Sequence, residues 1–352
     1  MTYTPVKKLK GLDLYIPPET DLRVRLDSNE SPYSLPESIK KELAEIFINT
    51  AENRYPDSRA QKLTDGAAAF FGISPDCITV GNGSDELISL ILNTLLEKGD
   101  TVLTVSPDFS MYAFYGLLNE LKVQTIQKED DMKINISKVI EYCNANSVKA
   151  VIFSNPCNPT SLGVRRQDVV RLVKGVACLV IVDEAYMDFW DQSVIDDIKD
   201  LDNLIVLKTC SKNVGMAGMR LGFALADSKI TEILRAVKSP YNVNTFTQAA
   251  GCVILKNKEL IEKNTQKMIA SRNELKRALL DLSEHYFSIE RVYDSVTNFV
   301  LIKNPKAGEI CKKLAERSVS VRQLGGYIRI TAGTEEENKE FLENFESILS
   351  TI

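Results

Sequence analysis

The sequence predicts an α/β protein: a mostly parallel central sheet joined to a smaller α+β domain. Three observations carry this expectation. Residues 150–153, 178–182 and 204–207 are short, unbroken apolar runs rich in Val and Ile, the composition of strands buried on both faces. Between about residues 75 and 230 such runs alternate with amphipathic helical stretches, as β-α units do. After Pro240 the pattern changes to one long helix followed by short strands and two further helices. The expected division is 1–40 as an N-terminal segment joining the small domain, 41–245 as the large domain, and 246–352 as the small C-terminal domain.

Taken in order, the first 40 residues are Pro-rich and irregular. Residues 77–80 read as a strand leading into a helix over about 85–97. Its apolar set (Leu87, Ile88, Leu90, Ile91, Leu92, Leu95, Leu96) covers most of the surface and predicts deep burial. A strand at 101–105 and a helix at about 109–121 follow. Helices at about 135–146 and 166–175 precede the strands at 150–153 and 178–182. The small domain reads as a helix at 257–282, strands at 298–302, 319–322 and 327–330, and helices at 306–316 and 335–350.

Composition excludes several functions. A chain of 352 residues with net charge −5 and no Lys/Arg block is a poor nucleic-acid binder. No window holds the ~20 apolar residues of a spanning helix, and the N-terminus lacks a secretory apolar core, so a cytoplasmic protein is expected. Seven scattered cysteines without a C-x-x-C fit reduced core thiols. Cys210, two residues from Lys212, has no histidine partner in sequence to make it a nucleophile. His285 is the single histidine, which rules out a multi-histidine metal site and predicts no metal. Acid–base chemistry in such a chain needs another group, and a lysine can serve.

Four segments point to that chemistry. In Thr209-Cys210-Ser211-Lys212 and the following small-residue loop to Arg220, an amine, hydroxyls and a guanidinium lie close together. That set suits an aldehyde cofactor with a phosphate tail, the amine forming a Schiff base and the arginine gripping the dianion. Read alone, a lysine before a Gly/Ala turn is ordinary. Gly81-Asn82-Gly83-Ser84-Asp85-Glu86 is a strand, a Gly-rich turn and a helix start, an anion site unless Ser84 or Asp85 merely caps the helix. A dinucleotide site fits poorly, because Glu86 stands where the third glycine of that fingerprint belongs.

Asn155-Pro156-Cys157-Asn158-Pro159 closes the strand at 150–153, where open α/β sheets place ligands, and Asn158 has an amide to donate. Asp183, at the end of the next strand, is a buried carboxylate in need of a cation such as a protonated pyridine nitrogen. Tyr186 follows three residues later, in reach of a neighbouring ring oxygen. Each segment alone is weak or moderate; their order after successive strands is specific.

With these segments the whole chain resembles the class I/II pyridoxal-phosphate-dependent aminotransferases of fold type I, and among them those acting on histidinol phosphate. The resemblance implies pyridoxal 5'-phosphate as cofactor, with Lys212 as its Schiff-base lysine and Asp183 on the pyridine nitrogen. Asn158 and Tyr186 would contact the ring oxygen, and Phe109 would stack on the ring. Gly83, Ser84, Asp85, Thr209, Ser211 and Arg220 would surround the phosphate. Tyr55, in Asn53-Arg54-Tyr55-Pro56, matches a tyrosine that reaches the partner subunit's cofactor, implying a homodimer. Tyr15 and Arg329 match substrate-side positions, Arg329 as the carboxylate-gripping arginine; Asn29 lies in a segment resembling the family's N-terminal Asn-Glu-x-Pro signature and is expected on the substrate side, with Arg322 as a second anion contact.

The implied reaction moves an amino group from a small-molecule amino donor, histidinol phosphate, to a 2-oxo acid, 2-oxoglutarate. The alternatives are a threonine-phosphate decarboxylase, an aminotransferase for another amino acid, and a noncatalytic cofactor-binding regulator. Three departures bear on substrate: Phe109 for the usual tyrosine, Ser161 where the family motif has glycine, and a short link between Arg322 and Arg329.

Overall fold

The computed structural model describes residues 22–352 and contains two sheets. The large one has seven strands: β2 (Ile78–Gly81), β3 (Thr101–Ser106), β4 (Lys122–Gln127), β5 (Val148–Ser154), β6 (Leu179–Asp183), β7 (Leu204–Thr209) and β8 (Gly222–Ala226). Their spatial order is β2-β8-β7-β6-β5-β3-β4. Only β8 runs antiparallel to its neighbours. This is the mostly parallel fold type I sheet that was expected.

Alternation along each strand splits the apolar runs between two cores. Val180, Val182 and Val206 pack on one face of the sheet, Ile181, Ile205 and Leu207 on the other. Helix α3 (Ser84–Leu95) buries Leu87, Ile88, Ile91 and Leu92, as its apolar surface predicts. Two strands lack the apolar run that marks the others. β4, at the sheet edge, exposes Lys122, Gln124 and Gln127. β8 is fully buried, yet built from Gly and Ala around Phe223 and Leu225.

The second sheet, in the order β1-β11-β12-β10-β9, joins β1 (Val24–Leu26) to β9 (Arg291–Val292), β10 (Phe299–Lys303), β11 (Val319–Leu324) and β12 (Tyr327–Thr331). β1 pairs in parallel with β11 and ties residues after 22 to the C-terminal part. Helices α10 (Ala307–Glu316) and α11 (Glu335–Leu349) cover this sheet; α11 opens on a complete capping box, Thr334 with Glu337.

Helix α8 (Thr245–Lys256) packs in the large core, with Ala250, Val253 and Ile254 buried there. The 28-residue α9 (Lys258–His285) then crosses over, burying Ile261 in the large core and Leu275 and Leu279 in the small one. We therefore propose a domain boundary within α9 rather than at residue 245. His285 ends that helix, exposed. Among the described residues no helix is long and apolar enough to cross a membrane.

Candidate active site

A cavity of about 550 Å³ lies between the two sheets, at the C-terminal ends of β5, β6 and β7. Open parallel sheets present ligand sites at this end. It is lined by Ser84, Asp85, Phe109, Asn158, Asp183, Tyr186, Thr209, Ser211, Lys212 and Arg220, with Asn29, Arg322 and Arg329 from the small sheet. Thirteen residues singled out from sequence thus meet in one place.

Strand register builds one end of the cavity. Gly222 pairs with Gly81 on one side and Thr209 on the other, so three segments converge. A Cβ on Gly222 would lie 2.6 Å from the Ser84 amide nitrogen and 2.7 Å from the Gly83 carbonyl carbon; only glycine lets the turn before α3 sit so close. A Cβ on Gly83 would likewise meet Arg220 Nη2 at 2.6 Å. Arg220 adopts φ 52°, which turns its guanidinium back toward α3, 3.4 Å from Asp85 Oδ2. The Thr209 hydroxyl donates to Ser211 Oγ at 3.0 Å. Helix-end amides, two hydroxyls and a guanidinium make a dianion cradle.

Asp183 lies at the opposite end. Its Oδ2 accepts from Tyr112 Oη at 2.8 Å and its Oδ1 from the Ala185 amide at 3.1 Å. Neither donor is charged, and burial pushes the carboxyl up to about 6, although Tyr112 and the amide pull it down. The adjacent Glu184 faces away, fully buried, and is neutralised by Lys208 Nζ at 2.9 Å. A buried carboxylate with neutral partners fits a protonated pyridine nitrogen. A phosphate cradle at one end and this acid at the other fit pyridoxal phosphate.

Lys212 Nζ donates to the Ser28 carbonyl at 3.0 Å and lies 5.8 Å from the Tyr186 ring centre. Asn158 Oδ1 accepts from Arg329 Nη1, which leaves its amide hydrogens for the cavity. Tyr186 Oη accepts from Asn29 Nδ2 at 2.9 Å. The Phe109 ring meets Tyr112 edge-on at 5.5 Å. Asp108 accepts from the Ser154 hydroxyl and from the Phe109 amide, fixing the loop that carries the ring. Ser161, in place of glycine, holds φ 62° with its hydroxyl bonded to the Thr160 and Asp294 carbonyls.

Arg322 and Arg329 are directly opposed across β11 and β12, joined by the two-residue turn Gly325-Gly326. The short link seen in sequence is what sets them side by side. One expected site residue lies outside this cavity. Tyr55 is 80 % exposed, outside the cavity and stacked on Tyr241 at 4.5 Å. Tyr15 falls outside the described residues. Sequence reasoning missed Tyr112 and Asp108, although both sit in the segment read for Phe109. Burial raises the Cys210 thiol, consistent with a packing role.

The model of the family described as aminotransferase class I and II matches residues 23–345. A histidinol-phosphate aminotransferase of Clostridium novyi (strain NT) is 39 % identical over 341 residues, 96 % of this chain and 94 % of that protein. One from Caldanaerobacter subterraneus subsp. tengcongensis is 35 % identical over 350 residues, 98 % of each chain. Among solved structures, the Sinorhizobium meliloti histidinol-phosphate aminotransferase in complex with pyridoxal-5'-phosphate superposes with a TM-score of 0.89 at 20 % identity, covering 99 % of each chain. The L-threonine-O-3-phosphate decarboxylase of Porphyromonas gingivalis gives 0.80 at 22 %, over 93 % of this chain and 99 % of that one. At these identities the two structures share the fold.

Proposed function

The chain belongs to the class I and II aminotransferases, and on that premise we propose that it carries the amino group of L-histidinol phosphate to 2-oxoglutarate. It is a pyridoxal-phosphate-dependent transferase with an amino donor and a 2-oxo acid as substrates. The observation that carries the substrate reading is the opposed pair Arg322 and Arg329 at the cavity wall. Both guanidinium groups line the cavity, where arginine can take a phosphate or a carboxylate in bidentate geometry. The phosphate of one substrate and the carboxylates of the other would bind there in turn.

Bound pyridoxal phosphate supplies the aldehyde carbon for amine exchange and a ring that stores the electron pair left at the donor's α-carbon. Asp183 would hold the proton on its ring nitrogen, and the cradle of Ser84, Thr209, Ser211 and Arg220 would hold its phosphate. Asn158 and Tyr186 would donate to its ring oxygen. Phe109 would cover one ring face and exclude water there. Lys212 Nζ would serve as the base that takes the proton from the donor's α-carbon and as the acid that gives it back.

A second copy of the chain completes the site in this reading. Phe47 and Met219 are exposed and line an apolar groove of about 680 Å³, and Gly218 lines both that groove and the active-site cavity. A homodimer would cover this face and bring Tyr55 to the partner's phosphate cradle. Free cysteines throughout the described residues fit a cytoplasmic protein.

The test is a paired assay of the cofactor-loaded protein. Glutamate formation from L-histidinol phosphate and 2-oxoglutarate is expected. Carbon dioxide release from L-O-phosphothreonine without that transfer would replace the reading by the decarboxylase one.

A further inference from the structure

Asn29, expected on the substrate side, borders the cavity with a fully buried side chain whose hydrogen bonds go to other protein groups. Nδ2 donates to Tyr186 Oη at 2.9 Å. Oδ1 accepts from Thr331 Oγ1 at 3.0 Å, and Thr331 Oγ1 accepts from the Asn29 amide, also at 3.0 Å. The Asn29 carbonyl accepts from Asn298 Nδ2 at 3.1 Å. The Thr331 hydroxyl has one proton, and its acceptor is Oδ1, so the amide is oriented with its nitrogen toward the phenol.

That orientation has a consequence for Tyr186. A phenol oxygen that accepts from Nδ2 has its own hydrogen free, and the remaining direction is into the cavity. An amide that accepted from the phenol would instead turn that hydrogen away. Asn29 and Thr331 belong to the small sheet, following β1 and ending β12, whereas Tyr186 follows β6 of the large sheet. One hydrogen bond therefore ties the position of the small sheet to the donor state of Tyr186.

We propose that Asn29 is a positioning residue that acts through Tyr186, directing the phenol hydrogen onto the ring oxygen of the cofactor. The proposal rests on pyridoxal phosphate occupying the cavity as described above. A stronger donor at the ring oxygen stabilises that oxygen's negative charge and makes the neighbouring nitrogen, bonded to Lys212, easier to deprotonate.

The backbone at Asn29 has φ 54°, a region that Asn, Asp and Gly tolerate and Ala does not. Asn29→Asp keeps the shape and removes the donor, and Asn29→Gly removes the side chain without backbone strain. The measurement is a spectroscopic pH titration of the cofactor-loaded protein, following the visible band. Both variants should raise the titration midpoint by roughly half a unit to one unit, the scale of one hydrogen bond. In a Tyr186→Phe background the same substitutions should leave the midpoint unmoved, since they act through the hydroxyl. A midpoint unchanged in the single variants, or an equal shift without the hydroxyl, would overturn the proposal. A protein with no cofactor band at all would instead overturn the functional reading on which it rests.

Discussion

The hydroxyl of Tyr112 donates to Asp183 at 2.8 Å, and both groups are buried at the cavity wall. Tyr112 lies three residues after Phe109, so a single segment supplies the ring at one face of the site and the donor that steadies the acid at its end. Without that donor the carboxyl loses one of the two bonds that favour its charged form. Tyr112→Phe should lower the rate of the first half-reaction about tenfold, the worth of one hydrogen bond to a charged group, with a smaller change in KM. Stopped-flow absorbance on the loaded enzyme checks this.

Asp183 also makes the cofactor-free protein pH-sensitive. Its folded pKa of about 6 lies above the ordinary 3.8, so the native state binds this proton more tightly than the unfolded chain. The stability that proton contributes is fully present below 3.8 and is lost as pH rises through 6. Asp183→Asn removes the titration. Cofactor-free Asp183→Asn should therefore gain on the parent between pH 4 and 7, by up to about 3 kcal/mol. Denaturant unfolding of both proteins across that range measures the difference.

At the phosphate end the prediction is steric. An alanine at Gly222 would push against main-chain atoms of Gly83 and Ser84, which cannot swing aside as a side chain can. Gly222→Ala should weaken cofactor retention by roughly tenfold or more, the effect of a misplaced anion site. Equilibrium dialysis against pyridoxal phosphate reads it directly.

Much of this was legible in the sequence because the chemistry follows buried strands. Asp183 and Lys212 end or follow unbroken apolar runs, so their place at the sheet's edge could be read before any coordinates. β4 and β8 could not be read the same way: one is a polar edge strand, the other a Gly/Ala strand whose small residues serve close packing. Tyr112 was hidden because its role depends on a contact 71 positions away in sequence. Asn29 was read by position and not by partner; its bonds to Thr331 and Tyr186 span 302 and 157 positions. Alternation and spacing report a residue's face, and only folding reports whom it meets there.

The opposed arginines separate the two substrates. Arg322→Gln leaves one guanidinium at the wall and removes a partner for a dianion. It should lower kcat/KM for histidinol phosphate by about a hundredfold, the scale of a lost bidentate charge pair, and affect the glutamate half-reaction less. Single-turnover rates with each donor supply the comparison.

The central claim is that this cavity takes an amino group from histidinol phosphate. Its most direct test is the absorbance of the purified, cofactor-loaded protein before and after L-histidinol phosphate is added, with no oxo acid present. Loss of the visible band with growth of the pyridoxamine phosphate band is the predicted result, and Lys212→Ala should not show it at the native rate. A visible band that stays unchanged at millimolar histidinol phosphate would contradict the claim.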